Sequence, residues 1–358
     1  MAFKTLLALA SFVVTAVAAP ASTKAACADG RTVNNAACCA WLPVLDDIQE
    51  NLFSGSLCAE EAHEQTQFLT TLVTGFSIMA NLEGKFGGGG ADGSILAFSD
   101  IETSFQANFG LDFTTEAFIP FALAHNVSFG DFVQFAGAVG VSNCIGGPRL
   151  QFLAGRSNIS QPSPDGLVPE PTDSADKIFA RLADVGFSPI EVADLLAAHS
   201  VSAQYEVDTD VAGSPFDSTP DTFDTQFFVE SLLTGTAFTG NGEGGEVLSP
   251  IPGEFRLQSD FAISRDNRTA CEWQSFVTNH AAMVTKFETV MAKLATVGQD
   301  ASSLIDCSDV IPVPPAAKVQ VGTFPPGKSI ADVDSACQAT PFPTLSTQPG
   351  PVTSVLPV

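Results

Sequence analysis

The stretch SPIEVADLLAAHSVSAQ, residues 188–204, shows the pattern that decides the fold class. Its apolar residues recur every three or four positions, which places them on one face of an α-helix. Ser188 followed by Pro189 is a helix-start signal, because serine caps free amides and proline is tolerated in the first turn. The same spacing recurs along most of the chain, in residues 35–53, 127–143, 174–186, 224–233, 254–266 and 271–298. Since no segment alternates convincingly as a β-strand does, the sequence predicts an all-α fold.

A histidine, His199, ends this helical segment, and Ser200 follows it directly. A histidine on a helix is most often an ordinary core residue with satisfied hydrogen bonds. The alternative is a metal ligand, which needs a carboxylate on its second ring nitrogen to orient the imidazole. Asp260, within the helical segment 254–266, is a candidate for that carboxylate. The residues alone leave both interpretations of His199 open.

The N-terminal residues have the features of an export signal. Lys4 supplies a positive charge, an apolar run too short to span a bilayer follows, and small residues precede the expected cleavage point. We therefore expect residues 1–24 to be a signal peptide with a short pro-segment, residues 25–340 to be one domain, and residues 341–358 to be a proline-rich extended tail. No later run has the length of a membrane helix, so we predict a secreted, extracellular protein.

The cysteines, the glycosylation motifs and the charge fit this location. An even set of 8 cysteines in an exported chain favours disulfides over a metal site. Asn126, Asn158 and Asn267 lie in N-x-S/T acceptor motifs. The formal net charge of −25 argues against binding to nucleic acid or to anionic membranes, and it leaves cations as partners.

Two loops carry oxygen ligands of the kind that Ca²⁺ prefers. The segments DSTPDTFD, residues 217–224, and GGGGADGS, residues 87–94, place carboxylates, hydroxyls and glycine carbonyls close together. The candidate ligands are Asp217, Thr219, Thr222, Asp224, Gly90, Asp92 and Ser94. A solvated acidic loop is the alternative in each case.

Glu60 and Glu64 are a third candidate cation site. They are four residues apart, so on a helix both carboxylates lie on one face. A divalent cation would bridge them there. A solvated acidic face is the alternative.

Several segments together resemble the secreted fungal class II haem peroxidases, the family of lignin, manganese and versatile peroxidases. These segments are residues 25–53, 84–102, 133–174, 195–204, 215–230, 253–266 and 269–277. The likeness extends from about Ala26 to the C-terminus without large gaps. It implies a haem peroxidase fold, with two helical lobes, haem between them, and disulfides and calcium as stabilising elements.

The resemblance also implies a role for each candidate residue. His199 would be the proximal ligand of the iron in haem b, and Asp260 would make it a stronger donor. Asn108 would orient the distal histidine, and residues 169–171 would lie at the haem-access channel. One Ca²⁺ would be held by Ser200, Asp217, Thr219, Thr222 and Asp224, and a second in part by Gly90, Asp92 and Ser94. The disulfides would be Cys27–Cys39, Cys38–Cys307, Cys58–Cys144 and Cys271–Cys337.

The sequence departs from the family in EQTQFLTTLVTGFS, residues 64–77. The family carries Arg-x-x-Phe-His-Asp there, in which the histidine moves protons of the peroxide and the arginine stabilises developing negative charge. An alignment without gaps places Gln67, Thr70, Thr71 and Leu72 at these four positions. Thr71 is no base near neutral pH, Gln67 has no charge, and Leu72 removes a charged ligand from the distal calcium site.

Two explanations of this departure stay open. The distal pocket is disabled, which would make the chain a catalytically impaired haem-binding protein. Alternatively, residues 65–77 result from a frameshift or a wrong exon boundary, and the natural protein has the usual residues. A calcium- and disulfide-stabilised protein without haem is a further alternative, but it would leave His199 and Asp260 without a role.

The positions that select the reductant also differ from the family. Asp194 stands five residues before His199, where lignin and versatile types carry a radical-forming tryptophan. Glu60 and Glu64 match the two manganese-binding glutamates, but Tyr205 replaces the third ligand, an aspartate. A neutral phenol is a poor ligand for a hard cation, so the Mn²⁺ site is weakened. Tyr205 is either a relay for electrons from phenols or a neutral filler.

We therefore expect a monomeric secreted enzyme that uses hydrogen peroxide to oxidise Mn²⁺, phenolic lignin-related compounds, or both. Its cofactors would be haem b and two Ca²⁺ ions, with the distal calcium site weakened by Leu72. Mn²⁺ would be a substrate.

Overall fold

A computed structural model of the chain describes residues 24–53, 58, 90–238, 244–318 and 321–358. Over these ranges the chain is mainly helical, so the predicted all-α fold is confirmed. The α-helices are α1 (Trp41–Asp47), α2 (Ser94–Ala97), α3 (Ser99–Glu102), α4 (Leu111–Ala124), α5 (Phe129–Asn143), α6 (Ala175–Ala183), α7 (Pro189–Leu195), α8 (Gln226–Glu230), α9 (Gln258–Arg265), α10 (Ala270–Phe276) and α11 (His280–Ala295).

Short helical turns of other types connect these helices. A π-helical turn lies at Ile48–Leu52. Turns of 3₁₀-helix lie at Ala36–Ala40, Gln106–Asn108, Leu196–Val201, Thr209–Val211, Ala301–Ser303, Ser308–Val310 and Ile330–Asp332.

Strands are confined to short antiparallel pairs in the part of the chain that the structure describes. β1 (Ala25–Ala26) pairs with β2 (Thr32–Val33), β3 (Leu153–Ala154) with β6 (Ile305–Asp306), and β4 (Ala203–Gln204) with β5 (Ser214–Pro215). In the last pair, Ala203 is opposite Pro215 and Gln204 is opposite Ser214. This pairing places the residues after His199 beside the loop that starts at Asp217.

Helix α4 was not predicted, and one predicted helix is wrong. Pro120 lies inside α4 and its large apolar residues Phe113 and Leu123 face solvent, so its pattern is not that of one buried stripe. The segment 271–298 is not one helix, since α10 ends at Phe276 and α11 begins at His280. The side chain of Asn279 caps the new start by accepting a hydrogen bond from the Ala282 amide.

The helix start predicted at Ser188 is present. The Ser188 hydroxyl accepts from the Glu191 amide, and the Glu191 carboxylate accepts from the Ser188 amide at 2.8 Å, which forms a capping box. Helix α7 then tightens into the 3₁₀ turn at Leu196–Val201, which carries His199. The segment that carries His199 thus begins at a capped helix start and ends in a short 3₁₀ turn.

Aromatic side chains fill the core on which these helices pack. Trp273 of α10 contacts Phe227 and Phe228 of α8, with ring centroids 5.2 and 4.9 Å apart. All three residues are buried, and the Trp273 ring nitrogen donates to the Ser231 hydroxyl at 2.9 Å. Burial of such rings is a large part of the stability of a core. Helix α8 is therefore held firmly beside the loop at 217–224.

Disulfides connect distant parts of the chain. The pairs are Cys27–Cys39, Cys38–Cys307, Cys58–Cys144 and Cys271–Cys337, the same four that the resemblance implied. The Cys38–Cys307 bond spans 269 residues and joins the N-terminal turn to the region after α11. A cross-link that closes a long loop reduces the entropy of the unfolded chain.

The C-terminal residues 341–358 contain neither helix nor paired strand of more than one residue. They pack back on the domain, since the Val355 amide donates to the Pro252 carbonyl at 2.8 Å and the Val358 amide to the Gly213 carbonyl at 2.9 Å. Among the described residues, no helix has the length and apolar character needed to cross a membrane. The acceptor asparagines Asn126, Asn158 and Asn267 are all exposed.

Candidate active site

His199 and Asp260 form the central pair of the site. His199 Nδ1 lies 2.8 Å from Asp260 Oδ2, and Asp260 is buried on α9. Because a carboxylate accepts, Nδ1 is the protonated ring nitrogen and Nε2 has the free lone pair. The His199 ring is flanked by Phe216 and Phe227, with centroids 5.0 and 5.7 Å away. The packing and the hydrogen bond together fix the orientation of the imidazole.

His199 and Asp260 line a cavity of about 410 Å³. Most of its remaining wall is apolar, from Ile178 and Leu182 of α6, Leu195, Leu196, Leu257, Ile263 and Leu294. Pro169, Glu170 and Pro171 lie at the same cavity, where the resemblance placed the access channel. Burial raises the pKa of the Glu170 carboxyl above its usual value, and the charge of Asp173 adds to this effect.

The residues present fit haem. A planar, largely apolar macrocycle needs an apolar cleft, and its iron needs one neutral imidazole nitrogen held by a carboxylate on the other side of the ring. His199 and Asp260 supply this arrangement. Asp260 Oδ1 is a buried oxygen without a hydrogen-bond partner among the described residues.

Asn108 is positioned where it can accept a hydrogen bond. Its Nδ2 donates to the Glu102 carbonyl at 2.8 Å, which fixes the amide, and its Oδ1 is buried with no partner in the described ranges. An orphan buried acceptor is costly, so a donor is expected opposite it. The resemblance puts residue 71 in that place, and Thr71 lies outside the described residues.

The loop at 217–224 has the properties of a cation site. Asp217 is buried, and its Oδ2 has no hydrogen-bond partner among the described residues. Burial raises the pKa of Asp217 well above its usual value, and the nearby charges of Asp224 and Glu230 add to this effect. The Thr219 hydroxyl lies 3.1 Å from Asp224 Oδ1, so two carboxylates and a hydroxyl converge. A bound divalent cation would offset the repulsion between these carboxylates.

Ser200 and Thr222, the other residues that the resemblance implies as ligands of this Ca²⁺, are held at or beside the loop. Ser200 is fully buried and its hydroxyl donates to the Ala197 carbonyl at 2.9 Å. The Phe216 amide donates to the Ser202 carbonyl at 3.1 Å, which fastens the Ser200 turn to the loop. The Thr222 amide donates to the Thr219 carbonyl at 2.9 Å and closes a turn. No cluster of three or more His, Cys, Asp or Glu side chains in the described ranges is arranged to hold a metal, so hydroxyls and carbonyls must complete such a site.

The second loop, at Gly90–Ser94, is built in a similar way. Asp92 is buried, its Oδ1 accepts from the Ser94 amide at 3.0 Å, and its Oδ2 has no partner among the described residues. Burial raises the pKa of Asp92 to about 6. Gly93 has a φ of +76°, and an added Cβ would lie 2.4 Å from the Gly130 amide nitrogen, so only glycine fits there. The loop is thus pressed against the start of α5.

Several predicted site residues fall outside the described part of the chain. These are Glu60, Glu64, Gln67, Thr71 and Leu72. Their roles remain predictions from the sequence.

Asp194 and Tyr205, the two positions near His199 that differ from the family, both have defined contacts in the structure. Asp194 is buried on α7, and its side chain meets that of Glu272, which pairs with Lys286 of α11. Burial and the charge of Glu272 raise the pKa of Asp194 to about 7. Tyr205 donates its hydroxyl to the Val358 carbonyl at 2.9 Å.

Three buried acids in and around the site were missed by sequence reasoning. Glu102 accepts from the Ser163 amide at 2.8 Å, and burial raises its pKa to about 7. Glu230 and Glu254 are buried beside the loop at 217–224. Each is a single acid in a helical or loop pattern, so nothing local in the sequence indicates burial.

The fold and this site define a helical haem-binding oxidoreductase with an imidazole–carboxylate pair. The peroxidase family model matches residues 46–279, and the fungal peroxidase extension region matches residues 282–358. The chain therefore belongs to the peroxidase family, within its fungal class II branch, and is a haem enzyme that uses hydrogen peroxide.

Individual relatives agree with this assignment. Versatile peroxidase VPS1 of Pleurotus eryngii is 55% identical over 335 residues, covering 93% of this chain and 90% of the relative. Ligninase B of Phanerodontia chrysosporium is 51% identical over 363 residues, covering 99% and 98%. Ligninase C of Trametes versicolor is 50% identical over 366 residues, covering 100% and 98%.

Proposed function

We propose that this chain is a secreted peroxidase that oxidises Mn²⁺, phenolic lignin-related compounds, or both at the expense of hydrogen peroxide. The observation that supports it most is the His199–Asp260 pair at 2.8 Å beside a largely apolar cavity. The relatives named versatile peroxidase and ligninase support the substrate class.

His199 and Asp260 prepare the proximal side. Asp260 accepts from Nδ1, so Nε2 would be free to hold the iron of haem b, and the carboxylate would make the imidazole a stronger donor. When bound, haem would supply the redox chemistry with peroxide. Ile178, Leu182 and the leucines of the cavity wall give the cleft an apolar lining.

The two loops would each hold one Ca²⁺. Ser200, Asp217, Thr219, Thr222 and Asp224 form the proximal set, and Gly90, Asp92 and Ser94 form part of the distal set. The unpartnered buried oxygens of Asp217 and Asp92 support these assignments. Leu72 weakens the distal site, because it replaces a charged ligand with an apolar side chain.

Glu60 and Glu64 would bind Mn²⁺ as a substrate, weakly because Tyr205 occupies the third ligand position. Asp194 removes the usual tryptophan route to bulky aromatics, so small phenols are the organic substrates that we propose. The protein would be an extracellular monomer that has lost residues 1–24, has its domain in residues 25–340 and its tail in residues 341–358, and is glycosylated at the exposed asparagines.

A second candidate function is that of a catalytically impaired haem-binding protein. The observation that favours it is the presence of Gln67, Thr71 and Leu72 in place of arginine, histidine and aspartate. Each acid–base role contributes roughly 10²–10⁴-fold to such a reaction, so the loss would be severe.

Three measurements separate the candidates. A Soret band in the purified protein that disappears in His199→Ala establishes haem binding through this residue. Peroxide-dependent oxidation of Mn²⁺ or of a dimethoxyphenol by the same protein supports the peroxidase, and a Soret band without such oxidation supports the impaired protein. Reading the gene and the transcript over residues 60–85 then decides whether the natural protein has the distal histidine.

A further inference from the structure

Glu230 of α8 is a buried carboxylate that hydrogen-bonds to the loop at 217–224. Its Oε2 accepts from the Ser218 amide at 2.7 Å, and its Oε1 accepts from the Ser218 hydroxyl at 2.7 Å. Glu230 has no exposed surface. Ser218 lies between Asp217 and Thr219, so these two hydrogen bonds fix the backbone between two residues of the proximal loop.

The same carboxylate also fixes the other end of the loop. Gln226 Nε2 donates to Glu230 Oε1 at 2.8 Å, and the Gln226 amide donates to Asp224 Oδ1 at 2.8 Å. The Gln226 side chain is held in turn by Thr323, whose carbonyl accepts at 2.8 Å and whose amide donates at 3.0 Å. Glu230 is thus connected to both Asp217 and Asp224 through one intermediate residue each.

A second buried acid, Glu254, completes this arrangement. Its Oε1 accepts from the Ser249 hydroxyl at 3.1 Å, and its Oε2 has no hydrogen-bond partner among the described residues. Burial raises the pKa of Glu254 well above its usual value, and the charges of Glu230 and Asp217 add to this effect. Glu254 and Glu230 are thus two buried acids close together beside the loop at 217–224.

We propose that Glu230 is the positioning residue of the proximal calcium loop. It accepts from Ser218 and Gln226, and thereby holds Asp217 and Asp224 in converging positions before the ion binds. Such preorganisation raises affinity because the loop loses less freedom on binding. The proposal rests on the assignment of this loop as a Ca²⁺ site under the proposed function.

The test compares two isosteric variants of the haem-loaded, full-length protein. Glu230→Gln places an NH₂ group where Ser218 and Gln226 both donate, so Ca²⁺ affinity should fall by roughly 10- to 100-fold, as for other outer partners of metal ligands. Glu116→Gln, the same change at an exposed glutamate of α4, is the matched control, with Ca²⁺ affinity unchanged. Affinity is measured by calcium titration after removal of the ion with a chelator, and tertiary structure by near-UV circular dichroism.

A milder variant keeps the test valid if Glu230→Gln does not fold. Ser218→Ala removes only the hydroxyl hydrogen bond and should weaken Ca²⁺ binding by roughly 3- to 10-fold. Equal calcium affinity in wild type, Glu230→Gln and Ser218→Ala overturns the proposal. An equal loss in Glu116→Gln and Glu230→Gln also overturns it, because the effect would then not depend on the hydrogen bonds of Glu230.

Asp217→Asn separates this proposal from the calcium site itself. It should reduce the bound calcium by one ion per protein molecule. If Asp217→Asn leaves the calcium content unchanged, the loop is not a calcium site and the proposed function is wrong on this point. If it removes one ion while Glu230→Gln binds as wild type does, only the positioning role is wrong.

Discussion

Asp260 Oδ2 lies 2.8 Å from His199 Nδ1, although 61 residues separate the two in the chain. Helix α9 places the carboxylate, and the 3₁₀ turn after α7 places the imidazole. The geometry of the imidazole that we propose as the proximal ligand therefore depends on the packing of two elements rather than on a local motif.

Asp260→Asn should lower kcat/KM for peroxide-dependent oxidation by roughly 10- to 100-fold, because it removes the charge that orients and strengthens His199. Haem content should stay unchanged, and the reduction potential of the bound haem should rise. Asp266→Asn, the same change just beyond α9 at a surface pair with Arg268, is the control. An unchanged potential in Asp260→Asn would show that the pair does not tune the ligand.

Asp194 should make stability fall as the pH rises from about 4 to 7. Its pKa is raised to about 7 in the folded protein by burial and by Glu272, against 3.8 as the ordinary value. In this window the folded protein keeps a proton that the unfolded chain has lost, so a rise in pH favours unfolding by up to about 1.4 kcal/mol per pH unit.

Asp194→Asn should flatten the plot of unfolding free energy against pH by that slope, measured by denaturant unfolding of the calcium-loaded protein. Asp210→Asn is the matched change at an exposed aspartate. Parallel plots for wild type and Asp194→Asn would refute the assignment.

Tyr205→Asp should improve Mn²⁺ oxidation. On the proposed assignment it would supply the third carboxylate of the Mn²⁺ site of Glu60 and Glu64, so KM for Mn²⁺ should fall by at least about tenfold. Tyr205→Phe keeps the ring and loses the hydroxyl that donates to Val358, so its KM for Mn²⁺ should match wild type.

The same Tyr205→Phe variant decides between the two roles considered for the tyrosine. A selective loss of phenol oxidation identifies a relay, and unchanged phenol oxidation identifies a filler. If Tyr205→Asp has the same KM for Mn²⁺ as wild type, the three positions do not share a metal site.

Sequence periodicity was sufficient for the helices with one buried stripe. The helix at 189–195 carries both its apolar spacing and its capping box in the local sequence, so its start could be predicted. Helix α4 could not, since Pro120 and the exposed Phe113 hide its pattern. The break between α10 and α11 is marked in the sequence by the capping residue Asn279. This signal is weak compared with the apolar spacing that continues across the break.

Some site residues could also be predicted from the sequence and others could not. His199 and the loop at 217–224 were identified from their local residue types, but their partners are brought close only by the fold. In the sequence, Glu230 is an ordinary polar residue of a short helix. Its positioning role is indicated only by its hydrogen bonds to Ser218 in the structure. The proximity of Glu254 to Glu230, 24 residues apart in the numbering, has no local signature in the sequence.

We infer that this chain has the proximal side of a haem peroxidase and that residues 67, 71 and 72 limit its reaction with peroxide. The variant Gln67→Arg/Thr71→His/Leu72→Asp restores the arginine, histidine and aspartate of the family. Thr74→His, which adds a histidine elsewhere in the same segment, is the control.

The test measures by stopped flow the rate constant for the reaction of each haem-loaded protein with hydrogen peroxide. The restored variant should react faster than the protein made from this sequence by at least about 10²-fold, and Thr74→His should not, because a positioned acid–base group contributes roughly 10²–10⁴-fold. Equal rate constants for the unaltered protein and the restored variant, at equal haem content, would show that these three residues do not limit the reaction.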